Sequence, residues 1–506
     1  MPIPHYDWIA HHAGFSPEVP ALIDLSAGTS LSYADMHERI DGVASYLRDH
    51  HGIRRGDRIA VLAQNRGELF ELLFACGRLG AIFLPLNWRL TGPELSYILR
   101  DAEPTLLVAD NESSALAETL RAELSLGAVL RLEDGDAGPL HDAYRAAAPL
   151  EASERLTHDD IQTIMYTSGT TGFPKGAQIT YGMTFWNAVN LGTPLRLTPD
   201  ARFLSVMPMF HTAGLNLFAL PVFHVGGTVY MLRSFDPAGT LAALGNPDYG
   251  ITHFFAVPAA YQFMAQHPAF GETDLGNLDI ACVGGAATPA PVLEQWLGRG
   301  VSMPNGFGMT ETSPAVMVLR PEDAERKIGS VGQPLLHTEI RIVDGEGGEC
   351  GVDEPGELQV RGPNVSPGYW RNDAASADAF VDGWLRTGDI VRRDPEGFCY
   401  ILDRAKDMYI SGGENVYPAE VENTLSRIDG IAEVAVIGIP DERWGETGLA
   451  IIVLKPGAEL SEEAVASHCQ ANLARFKHPR RVEFVDQLPR TATGKIHKPT
   501  LREQFS

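Results

Sequence analysis

Short apolar runs alternate with helically spaced segments along most of this chain, and that alternation restricts it to layered α/β architectures. Arg58 to Ala63 reads as a short apolar strand. Gly67 to Leu79 follows with helical spacing that sets Leu69, Leu72, Leu73 and Cys76 toward one face, and Ala81 to Pro85 is strand-like again. This is a βαβ unit. It recurs as a strand over Phe203 to Met207, a helix over Leu215 to Phe223 and a strand over Thr228 to Leu232. At 506 residues the chain exceeds one ordinary core, so two or more domains are expected.

From Ile340 the texture changes. Ile340 to Val343, Gly356 to Val360, Trp384 to Thr387 and Phe398 to Leu402 read as short strands joined by Gly, Pro and Asp turns. Charge density rises at Asp403 to Asp407, where a fresh small unit starts. In it Pro418 opens a helix with Val421, Leu425 and Ile428 on one face. Strands follow over Glu433 to Ile437 and Leu449 to Leu454, and Ser461 caps a last helix with Val465, Cys469 and Leu473 inward. The expected architecture is α/β and multidomain: layered α/β subdomains and a β-rich subdomain in residues 1–403, then a small α+β domain over 404–506.

A net charge of −25 disfavours nucleic acid and anionic membranes as partners. It also repels an anionic substrate, so any phosphate site must rely on local cations, backbone dipoles and Mg2+. The five cysteines are scattered without CxxC spacing, which fits a reducing cytoplasm and no zinc site. No uninterrupted apolar stretch is long enough for a membrane span, and the N-terminus lacks a signal-peptide pattern. The oligomeric state stays open, a homodimer included.

The densest motif is Tyr166-Thr-Ser-Gly-Thr-Thr-Gly-Phe-Pro-Lys-Gly-Ala177, directly after a strand over Ile161 to Tyr166. Gly169 and Gly172 let backbone N–H groups converge, and Thr167, Ser168, Thr170 and Thr171 add rotatable donors. Lys175 adds a point charge. The loop suits a polyphosphate, but Gly176 after Lys175 excludes a Walker A loop. Alone, it reads equally well as a flexible linker.

Further segments follow in order: Met207-Pro-Met-Phe-His211, Gly284-Gly-Ala-Ala287, Asn305-Gly-Phe-Gly-Met-Thr-Glu311 and Arg386-Thr-Gly-Asp389. The series ends with Asp403-Arg-Ala-Lys-Asp407, Ser411-Gly-Gly-Glu-Asn-Val-Tyr-Pro418 and Pro489-Arg-Thr-Ala-Thr-Gly-Lys495. In this order and rough spacing the chain resembles the adenylate-forming enzymes: acyl-CoA synthetases, luciferases and peptide-synthetase adenylation domains. The stretch from Asp403 to Pro418 resembles bacterial fatty-acyl and hydroxycinnamoyl (feruloyl or 4-coumarate) CoA ligases alike.

The resemblance implies an AMP-forming acid:CoA ligase whose substrates are a carboxylic acid, ATP and coenzyme A, with Mg2+ bound. The carboxylate attacks the α-phosphate to give an acyl-adenylate and pyrophosphate, and a thiol then displaces AMP. Two anions meet in the first step, so cations must offset their repulsion. The family pattern gives Lys495 that role, bridging the acid and the α-phosphate. It gives Glu311 the Mg2+, Thr310 the α-phosphate and Asp389 the ribose, with Arg404 adding a ribose or phosphate contact. Gly285, Ala286, Asn305, Gly306, Phe307 and Gly308 match the adenine slot.

Lys406 matches the hinge about which the C-terminal domain rotates between half-reactions. Gly412 and Gly413 would line the pantetheine path, and Arg89, Trp444, Phe476 and Lys477 fall where similar ligases touch CoA. His478 stands where some relatives have arginine, which weakens one phosphate contact. His211 gates the path between acid and thiol. Ala213, Gly214, Leu215, Leu217, Ala256 and Gly284 suggest a roomy apolar pocket for the acid. No Asp or Glu occurs from Phe203 to Phe235, so nothing there would pair a substrate ammonium. That favours a fatty or cinnamate-type acid over an amino acid. The competing reading is a stand-alone adenylation enzyme that loads a carrier protein.

Overall fold

The computed structural model describes residues 2–134, 140, 142, 150, 152–167, 174–286, 288–404, 406–411, 414–441, 444–491 and 495–505. The expected α/β layering is present. A six-stranded sheet runs in the order Val129–Leu132, Leu106–Asp110, Arg58–Leu62, Ile82–Leu86, Ile161–Thr167, Lys175–Thr180. A nine-stranded sheet lies against it. Its centre is Asn305–Gly308, Ile280–Gly284, His253–Ala256, Arg202–Ser205 and Thr228–Met231, mutually parallel. Pro20–Asp24 from the start of the chain joins that sheet beside Thr228–Met231, a long-range pairing that local pattern does not signal.

The helix Glu68–Leu79 is buried nearly all round, not on one face, and joins Phe70, Leu72, Leu73 and Phe74 to one continuous apolar core with residues of both large sheets. Glu71 on this helix is buried too, offset by Arg39 at 3.0 Å. Gly67 precedes the first turn and Gly80 ends the helix with φ +67°, a value that glycine adopts without strain. The single helix expected over Leu215 to Phe223 is two, Thr212–Leu215 and Ala219–Val225. Pro221 has no N–H to donate back to the Leu217 carbonyl, and Asn187 Nδ2 takes the Asn216 carbonyl at 3.0 Å.

The third sheet is antiparallel and holds Glu339–Val343, Gly356–Arg361, Trp384–Arg393 and Cys399–Arg404. Trp384–Arg393 runs well past the expected Thr387. The fourth sheet is built on the long hairpin of Ile431–Asp441 and Gly445–Leu454, with Tyr409–Ser411 and Arg481–Phe484 on the latter strand. Both its faces are covered. Val434 and Val436 pack with Val421, Leu425, Val465 and Cys469 on one side. Ala435, Ile437 and Ile439 pack with Leu501 on the other. Period-2 alternation in a doubly covered sheet produces these unbroken apolar runs. Helix Pro418–Leu425 stops before Ile428, which still packs on its core. Glu462–Asn472 is not the last helix, because Lys498–Phe505 closes the second face. All five cysteines are free. Among the described residues no helix is long and apolar enough to cross a membrane.

Candidate active site

A cavity of about 1180 Å³ opens beyond the carboxyl ends of the central strands of the nine-stranded sheet, the usual place for ligands in such sheets. Phe255, Gly284, Gly285, Gly306, Phe307 and Gly308 form one wall. Here glycine is required by close approach: a Cβ on Gly284 would stand 2.8 Å from the Gly306 carbonyl oxygen, and one on Gly308 2.0 Å from that of Pro314. Gly285 has φ +84°, which favours glycine there, and the Lys495 Cε lies in ordinary contact range, 3.9 Å from where a Cβ would sit.

Lys495 enters this cavity from the far end of the sequence. Thr491 N donates to the Lys495 carbonyl at 2.7 Å, and Lys495 N donates to Thr491 Oγ1 at 3.2 Å. Burial lowers the pKa of the ammonium, and Arg404 adds to this, while Asp389 and Glu311 act in the opposite sense.

Asp389 and Arg404 face each other on the paired strands Trp384–Arg393 and Cys399–Arg404. Arg404 Nε meets Asp389 Oδ1 at 2.6 Å. The second carboxylate oxygen, Oδ2, is buried without a hydrogen-bond partner among the described residues. Burial pushes the Asp389 pKa up to about 6, against the pull of Arg404 and Lys495. An unsatisfied buried acceptor is costly, and a vicinal diol donating to it would remove that cost. The orphan oxygen and the glycine wall both fit a nucleoside.

Thr310–Thr312 forms a single 3₁₀ turn that buries Thr310 and Glu311 against the cavity. Glu311 Oε1 accepts from the Tyr369 hydroxyl at 2.7 Å. No ion pair to Glu311 occurs among the described residues. A buried carboxylate without a cation is a hard-oxygen donor suited to Mg2+. Lys175 Nζ lies 5.2 Å from the centre of the Tyr369 ring. Tyr369 thus links two predicted site residues, although no sequence reasoning singled it out. Its signal was the Gly368-Tyr369-Trp370 phrase inside an otherwise ordinary turn.

His211 caps the short helix Thr212–Leu215, its Nδ1 accepting from Ala213 N at 3.3 Å. Burial lowers its pKa to about 3, with Lys495 adding repulsion, so the ring is neutral. With Nδ1 accepting, the ring proton sits on Nε2. Ala213, Leu217 and Gly284 line the cavity together with Leu191, Leu195, Phe210 and Phe255, four apolar residues the sequence did not single out.

Several expected site residues stand elsewhere. Gly214, Leu215 and Ala256 lie behind the wall. A Cβ on Gly214 would come within 2.4 Å of the Met207 carbonyl oxygen, and Leu215 and Ala256 are fully buried in the core. Asn305 is buried below the slot and donates from Nδ2 to the Ser330 carbonyl at 3.1 Å, which ties the strand down. Ala286 follows Gly285 and is exposed. Thr167 and Lys175 reach the cavity. Ser168, Gly169, Thr170, Thr171, Gly172, Ala287, Gly412 and Gly413 lie outside the described residues.

The residues assigned to CoA are not assembled around Lys495. Arg89 lines a second cavity of about 130 Å³ with Arg233, Phe263 and Arg490. Trp444 lies under the Arg480 guanidinium at 5.1 Å, and Lys477 pairs with Glu420 at 2.6 Å. Phe476 packs on the Val434 face of the fourth sheet, whereas Ile496, next to Lys495, packs on the Ile437 face. Phe476 and the residue beside Lys495 therefore lie on opposite sides of one sheet. Lys406 sits in the exposed turn between Cys399–Arg404 and Tyr409–Ser411 and reaches the large cavity.

A family model described as AMP-binding enzyme matches residues 9–370, and one described as AMP-binding enzyme C-terminal domain matches residues 420–495. The chain is 41% identical over 498 residues to a feruloyl-CoA synthase of Amycolatopsis sp, covering 98% of each chain. It is 38% identical over 504 residues to an indoleacetate--CoA ligase of Aromatoleum aromaticum, covering 98% of this chain and 97% of that protein. Among solved structures, ATP-bound MatB from Rhodopseudomonas palustris superposes with a TM-score of 0.91 at 33% identity, covering 98% of both chains.

Proposed function

The chain belongs to the AMP-binding enzymes, and we propose that it joins a monocarboxylic acid with an apolar, aryl-bearing body to coenzyme A. It is an ATP-dependent acid:CoA ligase that works through an acyl-adenylate and releases AMP and pyrophosphate. The observation that carries the reading is the convergence of Lys495 and Glu311 on one glycine-walled cavity with an apolar end, where Arg404, paired with Asp389, also lines the wall and Asp389 acts on the Lys495 charge. Lys495 stands between the apolar wall and the carboxylates, where it bridges the two anions that must meet. Asp389 Oδ2 takes the ribose hydroxyls, and Arg404 holds the other oxygen of that carboxylate in place. Phe307 lies along the slot for the base. Glu311 would hold Mg2+, which when bound would offset the charge of the phosphates. Lys175 and the hydroxyl loop hold the leaving pyrophosphate.

The acid class follows from the apolar end. Leu191, Leu195, Phe210, Ala213, Leu217 and Phe255 offer no cation, so a second carboxylate on the substrate would be buried unpaired. The relatives at 41% and 38% identity are named for feruloyl and indoleacetate, both aryl acids. Neutral His211, with its Nε2 proton, lines the cavity beside this end.

For the thiol step residues 404–506 rotate about Lys406. The division at 403/404 is supported by the separate, doubly covered sheet that begins after it. Rotation withdraws Lys495 and turns the face of Trp444, Phe476 and Lys477 inward, with Arg89 on the stationary side. We place the protein in the cytoplasm on its free cysteines.

The test is an acid panel with ATP, Mg2+ and either CoA or a carrier protein, following pyrophosphate and thioester. Hydroxycinnamate and arylacetate acids should turn over ahead of fatty acids, and dicarboxylates should not react. Pyrophosphate release with thioester only on the carrier would sink the CoA reading. Preference for long-chain acids would overturn the aryl assignment alone.

A further inference from the structure

Tyr369 joins parts of the site that the chain delivers from distant positions. The stretch around it is clamped to the strand Lys175–Thr180 that leaves the hydroxyl loop. Trp370 N donates to the Gly176 carbonyl at 2.7 Å, Gln178 N donates to the Gly368 carbonyl at 3.2 Å, and Tyr369 bridges to Ala177. The same stretch is clamped to the 3₁₀ turn: Ser366 N donates to the Glu311 carbonyl at 2.8 Å, and the Tyr369 hydroxyl donates to Glu311 Oε1 at 2.7 Å. The face of the ring receives the Lys175 ammonium at 5.2 Å. One side chain thus touches both the carboxylate suited to Mg2+ and the lysine of the phosphate loop, and it lines the large cavity.

We propose that Tyr369 is a positioning residue that sets the Glu311 carboxylate for Mg2+ and holds Lys175 in register with it. The hydroxyl bonds Oε1 and so fixes the plane of the carboxylate that would hold Mg2+. A lone carboxylate on a short turn would otherwise rotate between chelating and non-chelating poses, and ordering it on binding costs affinity. The ring places a cation without neutralising it, because a π face attracts an ammonium while leaving its protons free for phosphate oxygens. This role rests on the ligase reading above.

The test measures nucleotide binding by calorimetry, with Mg2+ and with a chelator, alongside thermal unfolding. Y369F keeps the ring and loses the hydroxyl. It should weaken binding of Mg·ATP about tenfold, the usual scale for a hydrogen bond to a charged group, and leave metal-free ATP and the unfolding temperature unchanged. Y369L also loses the ring, so metal-free ATP should weaken too. In an E311Q background, Y369F should add no further loss, because the hydroxyl acts through that carboxylate. Equal loss with and without metal, or an undiminished effect beside E311Q, overturns the proposal. So does a Y369F protein that binds Mg·ATP like the parent. A parent protein that binds no Mg·ATP overturns the ligase reading along with it.

Discussion

Asp389 shows how much one side chain's surroundings decide. A carboxylate in a Thr-Gly-Asp turn reads from sequence as a cap or a ligand with equal ease. Its burial, with one oxygen on Arg404 and the other orphaned, supports the ligand reading proposed above. The raised pKa of about 6 has a sign. The folded state binds a proton that the unfolded state releases at lower pH, so this group's contribution is intact below the ordinary carboxylate range and lost as pH rises through about 6. Between about pH 4 and about pH 7, Asp389→Asn should therefore gain roughly 2 kcal/mol in unfolding free energy relative to the parent. Urea titrations at several pH values check this, and parallel pH profiles would contradict it. Adenosine, which has no phosphate to titrate, should bind the parent about tenfold more weakly near pH 5 than near pH 7 if its diol needs the ionised form. The asparagine variant should show no such slope.

At the scale of elements, backbone approach fixes the site more than side-chain choice does. Strands Ile280–Gly284 and Asn305–Gly308 carry glycines because carbonyl groups occupy the space that a Cβ would need. Gly308→Ala would drive a methyl to 2.0 Å from the Pro314 oxygen. We expect a loss of about 3 kcal/mol or more, read as a lower urea midpoint, since backbone cannot yield as a side chain can. Gly214→Ala meets two carbonyls at 2.3 and 2.4 Å and should cost as much while leaving acid preference unchanged, because Gly214 lies behind the wall. Unaltered stability in either variant would contradict the close-packing account. These glycines were legible as motif positions, but their reason was not. Gly-Gly-Ala-Ala and Gly-Phe-Gly suggest a slot for a base, and strand contact explains most of them. The βαβ units were legible because period and length carry them. The broken helix at Asn216 was not, because Asn187 reaches it from another element.

Across the whole molecule, the face that presents Lys495 and the face that presents Phe476 belong to opposite sides of one sheet. If a single placement of the C-terminal unit offers only one of them to the cavity, the proposed rotation would serve the two half-reactions in turn. Lys495→Ala should abolish adenylation, a loss on the order of 100-fold or more for a charge-stabilising group. It should leave thioester formation from supplied acyl-adenylate near the parent rate. Gly413→Val should do the reverse. Both are read as pyrophosphate release against thioester appearance, and loss of the same half-reaction in both variants would end the rotation account.

The sequence by itself determined the layered α/β class and the family resemblance, and it singled out Lys495, Glu311, Thr167 and Lys175, which the structure places at one cavity. Those signals are local: a period, a glycine run or a lysine in a short phrase survives without any neighbour being known. Only the tertiary structure decided which residues share the cavity. Leu191 and Phe255 line the cavity, Gly214, Leu215, Ala256 and Asn305 do not, and Tyr369 links Glu311 and Lys175. These outcomes depend on pairings between strands far apart in the chain. Burial, orphaned oxygens and charge proximity arise only once those pairings bring the side chains together.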